Sequence, residues 1–353
     1  MKVKLNRPLQ QFVEQVGASK NAGSKAVQDV TAILTRLGFA TIPISRRLSD
    51  NKFVKYFGRI EWMLRCLFWR AKVKRDATVV IQFTVSCFHG ALAFRLIDEA
   101  LKRKKNLRII TVIHDLNRSD PMNDAITSVE RRFFSLCDKI VVHNEKMREF
   151  LMRHGVGAEK MVPLEAFDYL IEGDPPVADA VDPRQIAIAG NLNPGKCGYL
   201  KAIPGIAGIE WKLFGLGVDE RALGGHVRYC GSFDPHRPPA TLAGGFGLVW
   251  DGDSAETCSG MFGEYMRVNN PHKMSLYLAM GLPVIVWKES AIAPFVARNR
   301  LGILVGSLFE IPAAVSAAAS AYSEFARNAA AVASRLRAGD FMTKAIQKCM
   351  MRC

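Results

Sequence analysis

The chain has 353 residues, of which 49% are hydrophobic and 23% are charged. This length exceeds one ordinary domain and suits two, and the composition excludes a disordered or fibrous chain. Residues 1–10 lack the apolar core of a signal peptide. No run of about 18 apolar residues predicts a membrane span. These observations predict a cytoplasmic protein.

Eight cysteines are scattered along the chain without a C-x-x-C pair, and no His/Cys cluster has the spacing of metal ligands. We therefore expect free thiols in a reducing compartment, with no metal and no other cofactor. The net charge of +15 suits a nucleic acid, an anionic membrane surface or an anionic small ligand. No zinc-finger, RNP or helix-turn-helix pattern accompanies this charge, which argues against a nucleic-acid partner.

Positive charge is concentrated early in the chain, and residues 52–75 combine it with aromatic side chains. A basic helix with an aromatic face can lie on anionic lipid. The same stripe suits an ordinary amphipathic helix whose aromatic face packs on a sheet. The sequence leaves both interpretations open.

Strand-like and helix-like segments alternate in the first half, which predicts a parallel sheet covered by helices. The predicted strands are residues 2–5, 39–44, 77–83, 107–113 and 139–143. The predicted helices are residues 23–37, 91–102, 126–136 and 145–154.

A polar, proline-rich stretch at residues 173–184 predicts a linker, after which the alternation restarts. Strands are predicted at residues 185–189, 211–215, 246–250, 282–286 and 302–305. Helices are predicted at residues 270–280 and 291–298, and an Ala-rich helical tail runs from about residue 311 to the end. This pattern predicts two α/β domains, residues 1–172 and 185–315, followed by a helical tail at residues 316–353.

Open parallel sheets bind ligands beyond the carboxyl ends of their strands, so the residues after each predicted strand are the candidates. A loop rich in Gly and Asn follows the strand at 185–189 and contains Asn191 and Lys196. Backbone N–H groups and a lysine suit a phosphate, although many surface loops have this composition.

The segment Asn-Asn-Pro-His-Lys at residues 269–273 is the most distinctive of these candidates. Its proline precedes an apolar-periodic run and predicts a helix start, with Asn269 or Asn270 as the N-cap. The opening turn then contains His272, Lys273 and Ser275. Free N–H groups, the helix dipole and a lysine together favour an anion site. Alternatively, this is a capped helix whose lysine faces solvent.

Two further candidates lie in the first half. His114 and Asp115 directly follow the strand predicted at 107–113, and such a pair at an inter-domain cleft can supply a general base. Alternatively, Asp115 caps the next turn and His114 packs between elements. Gly23, Ser24 and Lys25 begin the first predicted helix, and this polar start either contacts a ligand or caps the helix.

Short motifs recur in a characteristic order along the chain: AGSKA at 22–26, IHD at 113–115, VHNEKM at 142–147, FDY at 167–169, AGNL at 189–192, YCGSF at 229–233, FGLVWDG at 246–252, NNPHK at 269–273 and SLYLA at 275–279. Together they resemble the motifs of the bacterial β-1,6-galactofuranosyltransferase / glucosyltransferase-3-like family of GT-B glycosyltransferases. The resemblance extends over nearly the whole chain.

The resemblance implies a GT-B fold: two Rossmann-like domains with a cleft between them and a C-terminal helix that crosses back to the first. The second domain would bind a UDP-sugar and the first an acceptor. Lys196 and Lys273 would contact the diphosphate. The remaining UDP-sugar residues would be Asn191, Phe233, Asp251, Asn269, Asn270, His272 and Ser275, and the loop of Gly23, Ser24 and Lys25 would lie near the acceptor or the donor sugar.

The implied reaction moves a hexosyl group, galactofuranose or glucose, from a UDP-sugar to a glycan acceptor. It would invert the anomeric centre without a metal, and Asp115, or His114 supported by it, would be the base. A lipid-diphosphate-linked acceptor, contact with the inner membrane face and a homo-oligomer are further expectations. The alternative is a non-catalytic UDP-sugar-binding partner of another glycosyltransferase.

Overall fold

The structure is a computed structural model that describes residues 7–15, 22–45, 67–83, 97–116, 126–175, 181–218 and 223–351. Within these ranges the chain forms two parallel sheets of six strands each. Each sheet together with its helices is here called a lobe, the first and the second in chain order. The predicted α/β class is confirmed. The exact domain limits remain a prediction.

The first lobe has a sheet with every strand parallel to its neighbours. Its strands are β1 (Leu9–Gln15), β2 (Ala40–Ser45), β3 (Thr78–Phe83), β4 (Arg108–Ile113), β5 (Lys139–Val142) and β6 (Met161–Pro163). Their spatial order is β2-β1-β3-β4-β5-β6. The helices of this lobe are α1 (Ala22–Arg36), α2 (Glu99–Lys105), α3 (Ser128–Leu136) and α4 (Glu145–Arg153).

In the second lobe, too, every strand of the sheet is parallel to its neighbours. Its strands are β7 (Gln185–Asn191), β8 (Glu210–Leu216), β9 (Val227–Tyr229), β10 (Phe246–Val249), β11 (Val284–Trp287) and β12 (Gly302–Val305). The order β12-β11-β10-β7-β8-β9 is that of a Rossmann sheet, with its switch point between β7 and β10. The later helices are α5 (Gly260–Tyr265), α6 (His272–Ala279), α7 (Ala293–Arg298), α8 (Ile311–Ala317), α9 (Tyr322–Ala338) and α10 (Asp340–Met350).

The first strand differs from the prediction. The strand predicted at residues 2–5 lies outside the described residues, and β1 begins at Leu9 instead. The sequence of β1 does not alternate between apolar and polar residues, because two adjacent positions are glutamines. Both of them, Gln10 and Gln11, are buried. The Gln10 side chain accepts a hydrogen bond from Lys74 N (2.8 Å) and donates one to the Lys72 carbonyl (3.1 Å), so its burial leaves no polar group unpaired.

The Ala-rich tail is divided into α8, α9 and α10 rather than forming one long helix. Gly339 ends α9 with a φ of 81°, a left-handed conformation that favours glycine. A Cβ atom at this position would lie 2.7 Å from the side chain of Ile33 in α1. The turn therefore brings the chain close against the first lobe.

Helix α10 crosses back and packs on α1, β5 and β6 of the first lobe, as the GT-B resemblance implies. The Asp168 carboxylate accepts hydrogen bonds from Phe341 N (3.1 Å) and Met342 N (2.7 Å) at the start of this helix. Arg108, at the start of β4, donates to the Met350 carbonyl (3.1 Å) at its end. First-lobe side chains thus bind both ends of α10.

Most of the predicted basic, aromatic segment at residues 52–75 lies outside the described residues. Where the description resumes, Leu67 and Phe68 are exposed, whereas Trp69 is buried in the first-lobe core. The first part of the helix predicted at 91–102 also lies outside the described residues, and only its end, from residue 97, is described. Among the described helices, none has both the length and the apolar character needed to span a membrane.

Candidate functional site

Asn270 joins the two lobes just before α6. Its backbone N–H donates to His143 Nδ1 (2.9 Å), and its side-chain nitrogen donates to the carbonyls of His143 (2.7 Å) and Glu165 (2.9 Å). Its side-chain oxygen accepts from Asn144 Nδ2 (2.7 Å). Protein groups therefore engage both polar atoms of this buried side chain. The geometry makes Asn270 a positioning residue, and its contact with a sugar nucleotide remains a prediction.

These bonds also decide where α6 begins. The N-cap is Pro271, without a side-chain cap, rather than Asn269 or Asn270 as predicted, because the Asn270 side chain faces the first lobe. His272 and Lys273 open the helix, and Ser275 is buried within it. The positive end of the α6 dipole therefore lies at the junction of the lobes.

Two lysines share one carboxylate at the carboxyl end of β10. Lys273 Nζ donates to Asp251 Oδ1 (2.7 Å) and to the Trp250 carbonyl (2.9 Å). Lys196 Nζ lies 3.7 Å from Asp251 Oδ2. Burial would lower the pKa of Lys273, but Asp251 outweighs it and raises that pKa, so the lysine stays charged. The cluster carries one positive charge in excess.

The loop that carries Lys196 leaves β7 at the switch point of the sheet. Asn191 is exposed, and its side-chain oxygen accepts from Asn193 N (3.0 Å). The Lys196 carbonyl accepts from Gly252 N (2.9 Å), which ties the β7 loop to the β10 loop. Phe233 follows β9 at the same sheet edge and is partly buried. The predicted nucleotide residues of the second lobe thus share one edge.

Asp115 faces this cluster from the carboxyl end of β4. It interacts with two second-lobe groups, the Lys196 ammonium and the Tyr265 hydroxyl, and Tyr265 also accepts from Leu116 N (2.9 Å). Asp115 is an exposed residue, but loss of hydration around its carboxyl group in the cleft raises its pKa to about 6, against the lowering effects of Lys196 and Tyr265. Candidate residues of both lobes therefore meet.

His114 lies in a cluster of aromatic rings beneath the cleft. Its imidazole stacks on Phe167 with ring centroids 5.5 Å apart. Phe167 also meets His143 edge-on at 4.9 Å and His272 at 6.1 Å, and His272 lies 5.0 Å from Tyr169. Burial lowers the pKa of His114 to about 4 and those of His143 and His272 to about 3, so all of these rings are neutral near pH 7.

Sequence reasoning assigned no site role to Phe167, Tyr169 or His143, although the FDY motif after β6 is a signal for the first pair. The prediction that Asp115 supports His114 was also wrong. Its Nε2 atom is 2.8 Å from Gln82 Oε1, and its Nδ1 atom has no partner among the described residues. Asp115 therefore does not support this ring.

Three buried polar atoms on predicted site residues lack a hydrogen-bond partner within the described ranges. They are His114 Nδ1, Asn269 Oδ1 and His272 Nε2. Buried polar atoms are nearly always paired in folded proteins. Neutral imidazole nitrogens and an amide oxygen can accept hydrogen bonds, so these atoms suit a ligand that carries hydroxyl groups.

Lys25 is buried in the first turns of α1 and is engaged within the protein. Its ammonium pairs with Asp29, donates to the Leu170 carbonyl (2.6 Å) and lies 4.6 Å from the Tyr169 ring centre. Burial lowers the pKa of Lys25 and raises that of Asp29, while their mutual attraction opposes both shifts. Gly23 and Ser24 precede Lys25 in α1, but the structure does not describe the Ser24 side chain. Their predicted ligand contacts stay predictions.

The described residues include no group of three His, Cys, Asp or Glu side chains that could hold a metal ion. The cysteines among them are free, and Cys137, Cys197, Cys258 and Cys349 are buried.

Comparison with known proteins places these residues in a family. The model of the glucosyltransferase 3-like N-terminal domain matches residues 11–166, and that of the C-terminal domain matches residues 186–349. The β-1,6-galactofuranosyltransferase WbbI of Escherichia coli K12 is 34% identical over 252 residues, covering 70% of this chain and 72% of that protein. Glucosyltransferase 3 of Streptococcus gordonii is 28% identical over 228 residues, covering 61% of this chain and 63% of that protein.

Solved structures share the fold at low sequence identity. The sucrose-phosphate synthase of Thermosynechococcus elongatus superposes with a TM-score of 0.63 at 14% identity, covering 96% of this chain and 97% of that one. Anabaena HepE in complex with UDP and glucose gives a TM-score of 0.59 at 11% identity, covering 96% of this chain and 98% of that one. The likeness extends over both lobes and the closing helix.

Proposed function

The chain belongs to the glucosyltransferase 3-like family and is a glycosyltransferase, and from this premise we propose its reaction. It transfers a hexosyl group, galactofuranose or glucose, from a UDP-sugar to a glycan acceptor in the synthesis of a surface polysaccharide or glycoconjugate. The observation that carries this proposal is the Lys196–Asp251–Lys273 cluster at the switch point of the second sheet, which faces Asp115 of the first lobe. A complex of HepE with UDP and glucose on the same fold supports it.

The cluster accounts for departure of the diphosphate. As the bond between the anomeric carbon and the phosphate oxygen breaks, negative charge grows on UDP. Lys196, Lys273 and the positive end of the α6 dipole stabilise that charge, so we propose that the reaction needs no metal. Asp251 holds the Lys273 ammonium at 2.7 Å and thereby orients it before the donor binds.

The first lobe supplies the base. The acceptor hydroxyl loses its proton to Asp115 or to His114, and its oxygen attacks the anomeric carbon directly, which inverts the configuration. Both groups are unprotonated near pH 7, because the pKa values are about 6 for Asp115 and about 4 for His114. The partnerless atoms of His114, Asn269 and His272 are suited to accept hydrogen bonds from sugar hydroxyl groups.

The acceptor is proposed to be a glycan linked to a lipid diphosphate at the inner face of the cell membrane. Leu67 and Phe68 are exposed on the first lobe, and Lys72 Nζ lies 4.3 Å from the Phe68 ring centre. Apolar side chains beside cations suit an anionic lipid surface. We also propose a homo-oligomer, which light scattering on the purified protein can test.

UDP binding and UDP-sugar turnover test this proposal. Wild-type protein should bind UDP in calorimetric titration, and Lys273→Ala should lose most of that binding. The variant Lys212→Ala, a matched lysine on β8 of the same lobe, should bind as wild type does. Because Lys273→Ala leaves Asp251 buried with Lys196 alone, the double variant Lys273→Ala/Asp251→Asn separates a loss of affinity from a loss of folding.

Each result decides a specific point. Undiminished UDP binding by a folded Lys273→Ala variant would remove this lysine from the diphosphate site. Product analysis over a panel of UDP-sugars identifies the sugar. Binding of UDP without turnover of any UDP-sugar would instead indicate the alternative, a non-catalytic partner of another glycosyltransferase.

A further inference from the structure

We infer that Gln82 is a positioning residue that fixes the imidazole of His114 with its proton on Nε2, so that Nδ1 is the basic atom presented by this ring. The tautomer assignment stands on the hydrogen-bond geometry alone. The use of Nδ1 in proton transfer rests on the proposed function.

The assignment starts from a hydroxyl group in α1. Thr31 Oγ1 lies 2.8 Å from the carbonyl oxygen of Val27, one helical turn earlier. A hydroxyl has one proton to donate, and a carbonyl can only accept. Thr31 Oγ1 therefore gives its proton to Val27 and acts only as an acceptor toward other groups.

Gln82 follows from this. It is buried in β3, and one end of its side-chain amide lies 2.9 Å from Thr31 Oγ1. Because that oxygen can only accept, the amide nitrogen of Gln82 faces Thr31, and the amide oxygen faces the opposite way. The flipped amide would bring two acceptors together unless Thr31 gave up its bond to Val27.

His114 completes the chain of bonds. Its Nε2 atom is 2.8 Å from Gln82 Oε1, and because Oε1 only accepts, Nε2 must carry the proton. The other nitrogen, Nδ1, is buried and has no partner among the described residues. The flipped network would place an N–H donor there, and unpaired buried donors are rarer than unpaired acceptors. Both arguments favour the same tautomer.

The surroundings fix the ring plane as well as its proton. His114 stacks on Phe167 with an interplanar angle of 13°, which restricts rotation about its Cβ–Cγ bond, and the bond between Nε2 and Gln82 fixes which edge of the ring faces β3. Among the described residues, the titratable neighbours of this ring are His143, His272 and Asp115. Loss of hydration lowers the pKa values of both histidines to about 3, so they are neutral near pH 7, and Asp115, the next residue in the chain, is the neighbour that carries a charge.

In the proposed reaction, the acceptor O–H bond breaks and an Nδ1–H bond forms on His114. The freed oxygen lone pair forms the new bond to the anomeric carbon, and the old bond to the phosphate oxygen breaks with its electron pair on UDP. The imidazolium keeps its Nε2–H bond to Gln82 throughout. A neutral amide at this position, unlike a carboxylate, leaves the ring with a low pKa and therefore unprotonated before the reaction.

Nitrogen NMR of the full chain labelled with ¹⁵N-histidine tests the tautomer without any substrate. The His114 signals, identified by their absence from His114→Asn, should show the proton on Nε2. Thr31→Val removes the acceptor that orients Gln82, and we expect a mixture of tautomers or a shift of the proton to Nδ1. Thr35→Val makes the same change one turn later in α1, where the hydroxyl bonds to Gln11 and not to Gln82, and should leave His114 unchanged.

The outcomes separate the inference from the proposed function. A proton on Nδ1 in the wild type, or an unchanged His114 tautomer in Thr31→Val, overturns the role of Gln82. The wild-type tautomer in Thr31→Ser, which keeps the hydroxyl group, supports that role. Gln82→Glu places a carboxylate beside Nε2 and should raise the pKa of His114 by about 1–3 units. The acid limb of kcat/KM should move to higher pH by the same amount. If the NMR titration shifts and the acid limb does not, Gln82 still positions His114, but His114 is not the base.

Discussion

Asp251 holds two lysines that lie far apart in the sequence. Lys196 comes from the loop after β7 and Lys273 from the first turn of α6, yet both ammonium groups lie within 4.0 Å of the same carboxylate. A buried carboxylate keeps a nearby lysine charged and limits its motion. The cluster therefore presents a positive charge that is already oriented when an anion arrives.

The pH dependence of turnover should identify the base. A base must be unprotonated, so kcat/KM falls as pH drops through its pKa. From the position of its free Nδ1 atom we expect His114 to act, which puts the acid limb near pH 4 in the wild type. Asp115→Asn should leave this limb in place. A limb near pH 6, the value for Asp115, that disappears in Asp115→Asn would make Asp115 the base. Circular dichroism at each pH controls for acid unfolding.

Asn270 provides a residue-scale test of the junction between the lobes. Asn270→Ala removes the partner of two carbonyls and one amide in a buried setting, and each group left unpaired costs free energy. We expect a loss of about 2–4 kcal/mol in the free energy of unfolding by urea. Asn299→Ala, which removes only a local bond to the Phe295 carbonyl (2.8 Å), should cost clearly less. Equal losses in both variants would show that the junction contributes nothing special.

At the scale of elements, the turn between α9 and α10 determines where the chain returns to the first lobe. Gly339→Ala introduces both a left-handed alanine and a contact of 2.7 Å with Ile33. The conformational part alone should cost about 1–2 kcal/mol, and the contact should add to it.

Gly38→Ala is the matched control for this change. Gly38 has a φ of 90°, and a Cβ there would meet no atom within 4 Å, so only the conformational cost applies. The difference between the two unfolding free energies measures how tightly the turn packs on α1. If the two variants are equally destabilised, the turn is not packed as the structure shows.

The elements that the sequence predicted correctly are those whose apolar composition or periodicity indicates burial. Strand β3 and strand β4 are short apolar runs, and α4 has both a regular period and an Asn N-cap. Strand β1 was missed because its interior contains two glutamines, whose partners come from other parts of the chain. The burial of Gln10 and Gln11 depends on these partners, and a single sequence does not display them.

The same limit applies to the site. Lys196 and Lys273 could be chosen because each is a cation placed after a strand or at a helix start. Gln82 could not, because its importance lies in the bonds that it makes to Thr31 and His114. Asn270 looked like a helix cap, and only the packed lobes show that its side chain faces His143 instead.

At the scale of the whole molecule, the charge of +15 and the exposed Leu67 and Phe68 predict a membrane-facing first lobe. The full chain should sediment with vesicles of phosphatidylglycerol and phosphatidylcholine, and much less with phosphatidylcholine alone. Leu67→Ser/Phe68→Ser should weaken the binding about fivefold or more, because both apolar side chains are lost from the contact.

A matched pair of exposed apolar residues lies on the second lobe. Leu304 and Phe309 are 38% and 50% exposed, and Leu304→Ser/Phe309→Ser should bind vesicles as the wild type does. If this control pair weakens binding as much as the first pair does, the first lobe has no preferred lipid contact. Equal binding to neutral and anionic vesicles would exclude an electrostatic contribution.

The return of α10 to the first lobe has a consequence for biosynthesis. The ribosome makes β1 to β6 first, but the helix that packs on β5 and β6 emerges only after the entire second lobe. Until then, Asp168 and Arg108 have no helix ends to bind, and the apolar surface beneath α10 stays uncovered. The nascent first lobe therefore remains without this helix while the second lobe is translated, and its packing is completed only when α10 has been made.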